Sequence, residues 1–514
     1  MLILGKKRRL ALASQALAAS LLIALGAVKP LPAHAQGGLP TLGDGSDLTS
    51  SEERRLGDRI IRELYRDPDY VDDPVIAEYV QGIWQPLIAA ARSRGELSAE
   101  LDERFAWEVL LGRDRTVNAF ALPGGYLGLH LGLIGVVGTR DELASVMAHE
   151  LSHVTQRHIS RLLTQQSRQT PLLLGAMVLG ALAASKNPGA TQALVVGGQA
   201  VAMQNQLNFS RDMEREADRV GMGLMEPAGF APEGFVGMFE KLQQANRIND
   251  NGSWPYLRSH PLTTQRMADM QSRLPSGGLT PAQVPVLQAE HAMVSARARV
   301  LSNPGVDVLR QWIAEPQGTG FAALPLARKA GVLYAAALGS SQLRDGAAAR
   351  RWAGQLLPLV KGDAAAARLA QLLVAELELA AGNAPAALAA MPAGDTRRPE
   401  IMLRAQIVLR TGPPGLQEVT SPLQTWLATH PRDAGAWQAL AGVWNAQNQP
   451  LRAVRAEAEA QASRYDYAAA VDRFKAGQDL ARRSTLADDH FEASIIDTRL
   501  RAVQLLLREQ AAER

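Results

Sequence analysis

The chain has 514 residues, 47% hydrophobic and 20% charged, which excludes a disordered polymer and is too long for one ordinary domain. Aromatics make up only 5%, so the core must rest mainly on Ala, Leu and Val, a composition that favours helices. The formal net charge of +3 depends on Lys6, Lys7, Arg8, Arg9 and Lys29; beyond residue 35, 49 basic residues face 51 acidic ones, so a nucleic-acid partner loses its electrostatic support.

The first 35 residues combine a basic start, an apolar Ala/Leu-rich run over residues 10–28 and Ala33-His34-Ala35, the small-residue pattern of a cleavage site before Gln36. They are expected to be a secretory signal peptide over 1–35, with an uncleaved membrane anchor as the alternative. With no cysteine, the chain can carry neither a lipoprotein anchor nor a disulfide, and a bacterial periplasm fits best. Residues 36–51, rich in Gly, Pro, Asp, Ser and Thr, predict a flexible lead-in. Apolar residues at helical spacing predict helices over 52–65 and 72–91. Residues 105–111 predict a strand, and 118–131 a second strand around a Gly-Gly turn. A long helix is expected over 139–163, capped by Thr139 with Asp141 and Glu142 in its first turn.

Two apolar stretches follow, 172–184 and 193–202, each too short to cross a bilayer unaided. They predict a buried helical hairpin, the alternative being a mobile or membrane-touching hairpin beside the active site. Helix is expected again over 209–229, then a loop and a helix over 254–274. Pro275, Gly277, Gly278, Pro281 and Pro285 mark a domain boundary. From about residue 286 the chain is Ala/Leu/Arg-rich helix broken by short turns. Trp437, Leu440, Ala441, Trp444, Ala453 and Ala460 fall at the spacing of one tetratricopeptide unit, with His430-Pro431 closing the unit before it. Asn383-Ala384-Pro385 and Asn448-Gln449-Pro450 hold similar turn positions. Such an array offers a concave groove for partner proteins, the alternative being a plain helical bundle. The expected domains are therefore a lead-in over 36–51, a catalytic domain over 52–280 and a helical repeat domain over 286–514.

The chemistry centres on His149-Glu150-Leu151-Ser152-His153. Residues four apart on a helix differ by only about 40° in projection and about 6 Å along the axis, so both imidazoles can reach one zinc ion. Glu150, about 100° round from His149, can contact a water at the metal without ligating it. A third ligand is needed. A third histidine in the extended motif is excluded, because Gln156 and Ile159 stand where glycine and histidine would be required. On a continuous helix His158 lies about 140° from His153, which predicts a structural or surface histidine. The better source is an acid in Ser210-Arg211-Asp212-Met213-Glu214-Arg215-Glu216-Ala217-Asp218. Glu214 and Asp218 share a face while Glu216 points away. Glu214 is therefore taken as ligand and Asp218 as acceptor for a histidine N–H.

His149-Glu150-x-x-His153, followed by Ser210-Arg211-x-x-Glu214-x-x-Ala217-Asp218 and preceded by Asn118-Ala119-Phe120-Ala121-Leu122-Pro123-Gly124-Gly125, resembles the HtpX and CAAX-prenyl-protease family of zinc metallopeptidases. The whole organisation resembles that family's periplasmic peptidase-chaperones of outer-membrane protein assembly. The resemblance implies a mainly α fold: a zincin-like α+β metallopeptidase domain with a small β-sheet, then an all-α tetratricopeptide-like superhelical domain. It implies one Zn2+ per chain held by His149, His153 and Glu214, with Glu150 as general base. It also implies a cleft bordered by Asn118, Ala119, Phe120, Gly124 and Gly125, where substrate would add as a strand. Ser259-His260-Pro261 matches a loop whose histidine would be a displaceable fourth ligand. The implied partners are misfolded or assembling outer-membrane proteins, the β-barrel assembly complex and the lipopolysaccharide-transport barrel. No nucleic acid is expected, and peripheral contact with the outer membrane is left open. The chain is thus expected to be a periplasmic zinc endopeptidase with chaperone activity, the alternative being chiefly a chaperone or adaptor with latent proteolysis.

Overall fold

The computed structural model describes residues 48–166, 210–247, 253–274, 288–392, 394, 396–412, 415–483 and 488–512. The expected signal peptide, most of the lead-in, both apolar stretches and the boundary at 275–285 lie outside them.

Helix α1 (Ser50–Arg66) starts two residues before the sequence suggests. Thr49 and Glu52 form a reciprocal capping box, the Glu52 carboxylate accepting from the Thr49 N–H at 2.9 Å. Strand β1 (Tyr70–Val71) leads to α2 (Pro74–Ser93), whose first turn is capped by Asp73, and then to α3 (Ala99–Arg104). Three further strands follow: β2 (Glu108–Gly112), β3 (Ala119–Leu122) and β4 (Tyr126–His130). The sheet order is β1-β2-β4-β3, parallel between β2 and β4 and antiparallel elsewhere, so β3 is an edge. The strand expected from residue 105 begins only at 108, because Phe105 ends α3 and Trp107 takes a positive φ of 52°. The expected second strand is the β3–β4 hairpin. Its turn needs Gly124 and Gly125 at φ 79° and 83°, and a Cβ on either would lie within 3 Å of Arg54 or Phe105.

After the short α4 (Leu131–Val136), the expected helix over 139–163 is two helices. α5 (Arg140–Thr155) begins at the Thr139 cap, and α6 (His158–Gln166) begins after a break at Gln156 and Arg157. Arg157 sits at φ 53°, and its guanidinium ties the break to Glu53 (3.2 Å) and the Leu48 carbonyl. α5 is buried over nearly its whole length. It is covered by β3, by α7 (Arg211–Met225) and by α8 (Glu233–Arg247). Gly221 permits the α5–α7 approach, since a Cβ there would meet the Ala148 backbone at 3.0 Å. α9 (Tyr256–Ser259) and α10 (Thr264–Arg273) complete this region.

From Ala289 onward the described residues form α-helices and two short 3-10 turns, with no strand. Ala434–Ala446 and Pro450–Ser463 pair as a hairpin: Ala436, Leu440, Ala441 and Trp444 bury against Ala453 and Ala456. Asn448 at φ 58° makes the turn, and Pro450 starts the second helix. Asn383 caps Ala384–Ala390, and His430 ends Leu416–Thr429. One apolar cluster extends from Val75 on α2 into these helices as far as Ile407. Three arginines reinforce the seam. Arg297 binds Asp73 and Glu376 (2.7 Å each), Arg368 binds Glu78 (2.8 Å) and Glu400 (2.5 Å), and Arg398 binds Asp72 (2.8 Å) and Asp433 (2.6 Å).

Candidate metal centre

The last two turns of α5 present His149 and His153 on one face, their Nε2 atoms 3.0 Å apart. α7, capped by Ser210, brings Glu214 from the opposite side, with Oε2 3.6 Å from His149 Nε2 and Oε1 3.4 Å from His153 Nε2. The chain leaving α9 supplies His260, whose Nδ1 lies 3.0 Å from Glu214 Oε1 and 3.3 Å from His149 Nε2. One ligand atom from each of His149, His153, Glu214 and His260 falls within 4.8 Å of the others, and all four residues are buried.

Glu150 is fully buried beside this group. Its Oε2 accepts the Ala121 backbone N–H at 2.9 Å, and its Oε1 lies 3.4 Å from His260 Nε2 without an aligned hydrogen bond. In the β3–β4 pairing Asn118 faces His130, so the amides of Ala119 and Ala121 point away from β4, towards the open edge. Phe120 stands on the strand between them, half-buried, with its ring edge-on to His130. Asn118 is buried at the start of β3. Gly124 and Gly125 lie at the far end of the hairpin, closed in by Arg54 and Phe105.

Asp218, one turn along α7, lies 2.9 Å from His149 Nδ1. A carboxylate accepts only, so the proton sits on Nδ1 and the Nε2 lone pair faces the cluster. Arg266 on α10 grips both Asp218 oxygens (2.6 and 2.8 Å) and donates to the Pro261 carbonyl (2.9 Å). It also lies 2.7 Å from Glu214 Oε2, an ion pair that leaves that oxygen without an aligned donor. His158 differs from expectation. The break after α5 turns it inward, fully buried, with Nδ1 2.9 Å from His153 Nδ1 and Nε2 3.0 Å from Glu216 Oε2. Glu216 points away from the cluster and towards His158 and Arg161.

Burial pushes the pKa of His153 well below its usual value, outweighing its bond to Glu214. For Glu214 burial acts upward, but His260, His153 and His149 together hold it well below the carboxylate range. Asp218 is lowered because Arg266 and His149 outweigh its burial. His260 is raised: burial opposes its charge, yet Glu214 and Glu150 prevail. The centre therefore has a neutral imidazole, an ionised carboxylate, buried carboxylate oxygens lacking aligned donors, and nitrogen lone pairs converging on one point. That donor set suits a divalent cation, and two imidazoles with a carboxylate suit zinc.

Sequence reasoning did not find Arg266, the His158–Glu216 pair or the Ala121 amide. Arg266 carries only a weak signal, a basic residue six positions after His260 in the stretch expected to hold a loop and a helix. The other two depend on a helix break and on a backbone group, which residue spacing does not reveal.

Residues 78–274 match Peptidase family M48. The beta-barrel assembly-enhancing protease of Escherichia coli K12 is 30% identical over 454 residues, 86% of this chain and 88% of that protein. The chain belongs to peptidase family M48. A putative beta-barrel assembly-enhancing protease of Vibrio cholerae is 36% identical over 248 residues, 47% of this chain and about half (49%) of that protein. The mitochondrial metalloendopeptidase OMA1 of Saccharomyces cerevisiae is 26% identical over 201 residues, 38% of this chain and 55% of that protein. This M48 protein is a zinc metallopeptidase, mainly α, with a small sheet beside its metal-binding helices. Among the described residues, no helix is long and apolar enough to cross a membrane.

Proposed function

We propose that this M48 peptidase works in the periplasm, after export by residues 1–35, and cuts misfolded or stalled outer-membrane β-barrel proteins. Its relatives' names support the substrate class, and the buried quartet beside Glu150 carries the catalytic reading. His149, His153 and Glu214 would hold one zinc ion, which when bound polarises the scissile carbonyl and brings the pKa of a coordinated water towards neutrality. The Ala121 amide fixes one oxygen of Glu150, leaving Oε1 aimed into the centre to take the water's proton and return it to the departing amine. The edge of β3, through the Ala119 backbone and the Ala121 carbonyl, pairs with an extended substrate, while Phe120 contacts its side chains. Asn118, Gly124 and Gly125 border the same cleft, shaping the hairpin that carries this edge.

His260 lies between Glu150 and Glu214, with Nε2 3.4 Å from Glu150 Oε1 and Nδ1 3.0 Å from Glu214 Oε1, which supports reading it as a block on the centre. As a displaceable fourth ligand it keeps the peptidase latent until its loop moves. The catalytic domain is taken as 52–280 and the tetratricopeptide-like domain as 286–514. The latter would dock on the β-barrel assembly complex, or on the lipopolysaccharide-transport barrel during maturation. Burial of His260 also favours a second reading, a chaperone or adaptor with only occasional proteolysis.

Casein cleavage by the parent, Glu150→Gln and His260→Ala decides between them. Glu150→Gln should lose cleavage but still help outer-membrane proteins assemble, and His260→Ala should cleave faster than the parent. A folded Glu150→Gln protein that loses both activities equally removes the separate chaperone role. A His260→Ala protein no faster than the parent removes the latch.

A further inference from the structure

The two helical histidines of the centre are supported in different ways. His149 meets a carboxylate directly, and Arg266 holds that carboxylate from behind. His153 turns its outer nitrogen to a second imidazole instead. We propose that Glu216 and the buried His158 form a relay that sets the tautomer of His153 and strengthens it as a metal donor. This deepens the metal-site reading above and rests on His153 being a ligand.

The argument is one of protons. Glu216 Oε2 accepts only, so at 3.0 Å the His158 Nε2 atom donates to it. A neutral His158 then has a lone pair on Nδ1. The two Nδ1 atoms are 2.9 Å apart, so His153 must donate across that gap. The proton of His153 is thereby fixed on Nδ1, and its Nε2 lone pair points at His149 Nε2 and Glu214 Oε1. Reversing the chain at any step would place a proton on His153 Nε2 and spoil it as a donor. The partial negative charge passed along from Glu216 makes Nε2 a stronger base, as a direct carboxylate does for other histidine ligands.

The relay explains the helix break. On a continuous helix residue 158 would sit about 140° from residue 153 and could not reach it. The left-handed turn at Arg157, anchored to Glu53, swings His158 back onto His153. Arg161 completes the arm by donating to Glu216 at 3.0 Å. His158 is thus a positioning residue: it acts on the metal through His153 and touches no reacting atom.

The test is zinc affinity of the metal-free full chain, titrated against a chromogenic chelator, with thermal unfolding as the check on folding. His158→Leu fills the same space without an acceptor and should bind zinc about 10–100-fold more weakly. His158→Gln, whose amide oxygen can accept from His153 Nδ1, should stay within a few-fold of the parent. Nitrogen NMR of labelled histidines in the metal-free parent should show His153 with its proton on Nδ1, and His158→Leu should mix the two tautomers. Should His158→Leu not fold, Glu216→Ala, at a partly exposed position, serves in its place with an intermediate loss. A parent that binds one zinc while folded His158→Leu or Glu216→Ala binds it equally well overturns the relay alone. A parent that binds no zinc overturns the metal site and the relay with it.

Discussion

The metal centre and the seam joining it to the C-terminal helices both bury charge, but for different ends. At the seam, Arg297 meets Asp73 and Glu376, Arg368 meets Glu78 and Glu400, and Arg398 meets Asp72 and Asp433, so cation faces anion throughout. At the centre, Glu150 Oε1 and Glu214 Oε2 are buried without aligned donors, and imidazoles crowd against each other. A seam selected for cohesion pairs each of these cations with two carboxylates of its own, although Arg398 Nη1 is left without a hydrogen-bond partner among the described residues. A centre left polar and incompletely satisfied is arranged around something it must bind.

Substitutions can break that contrast. The largest effect is expected from Glu150→Gln, which keeps shape but removes the base: kcat on a peptide substrate should fall by about 10²–10⁴-fold with zinc content unchanged. If zinc is lost as well, Glu150 belongs to the ligand set rather than beside it. Next comes Arg297→Leu at the seam. It strands Asp73 and Glu376 and should cost about 3–5 kcal/mol in urea unfolding. A loss below about 1 kcal/mol would show that the seam charges are solvated rather than paired.

A pH experiment sharpens the same comparison. His291 lies at the seam, with Nδ1 2.7 Å from Tyr79 Oη and Nε2 3.0 Å from the Val137 carbonyl. Burial lowers its pKa from 6.5 to about 4, the Val137 bond opposing and Arg140, Arg328 and Lys241 assisting. The unfolded chain therefore binds this proton first. The stability it contributes is complete above pH 6.5 and is lost as pH falls towards 4, by up to about 3 kcal/mol. His291→Gln should flatten the melting temperature across that window, and an unchanged slope would assign it to other groups. The smallest effect is expected from Thr49→Ala, which removes the α1 capping box. It should cost about 1 kcal/mol with cleavage unaltered.

How much of this was legible in the sequence follows from the same distinction. Two histidines and a carboxylate serve chemistry that few residue types can perform, so His149, His153 and Glu214 stand out at helical spacing. The Gly-Gly turn was visible because only glycine takes φ near 80° there without strain. The supporting groups were not. His158 was misplaced because the chain breaks at Arg157, and that break is held by Glu53, a residue 104 positions away. Arg266 matters only because folding brings α10 against α7. In the C-terminal region small apolar residues are nearly interchangeable. Helix was therefore clear from composition, while no spacing or motif marks out the three arginines that join it to α2 and its N-terminal approach.

The most direct test of the central claim is elemental analysis of the purified parent beside Glu214→Ala. One zinc per chain in the parent and a large loss in the variant are expected. A parent without stoichiometric zinc, or a folded variant that keeps its full complement, would contradict the account.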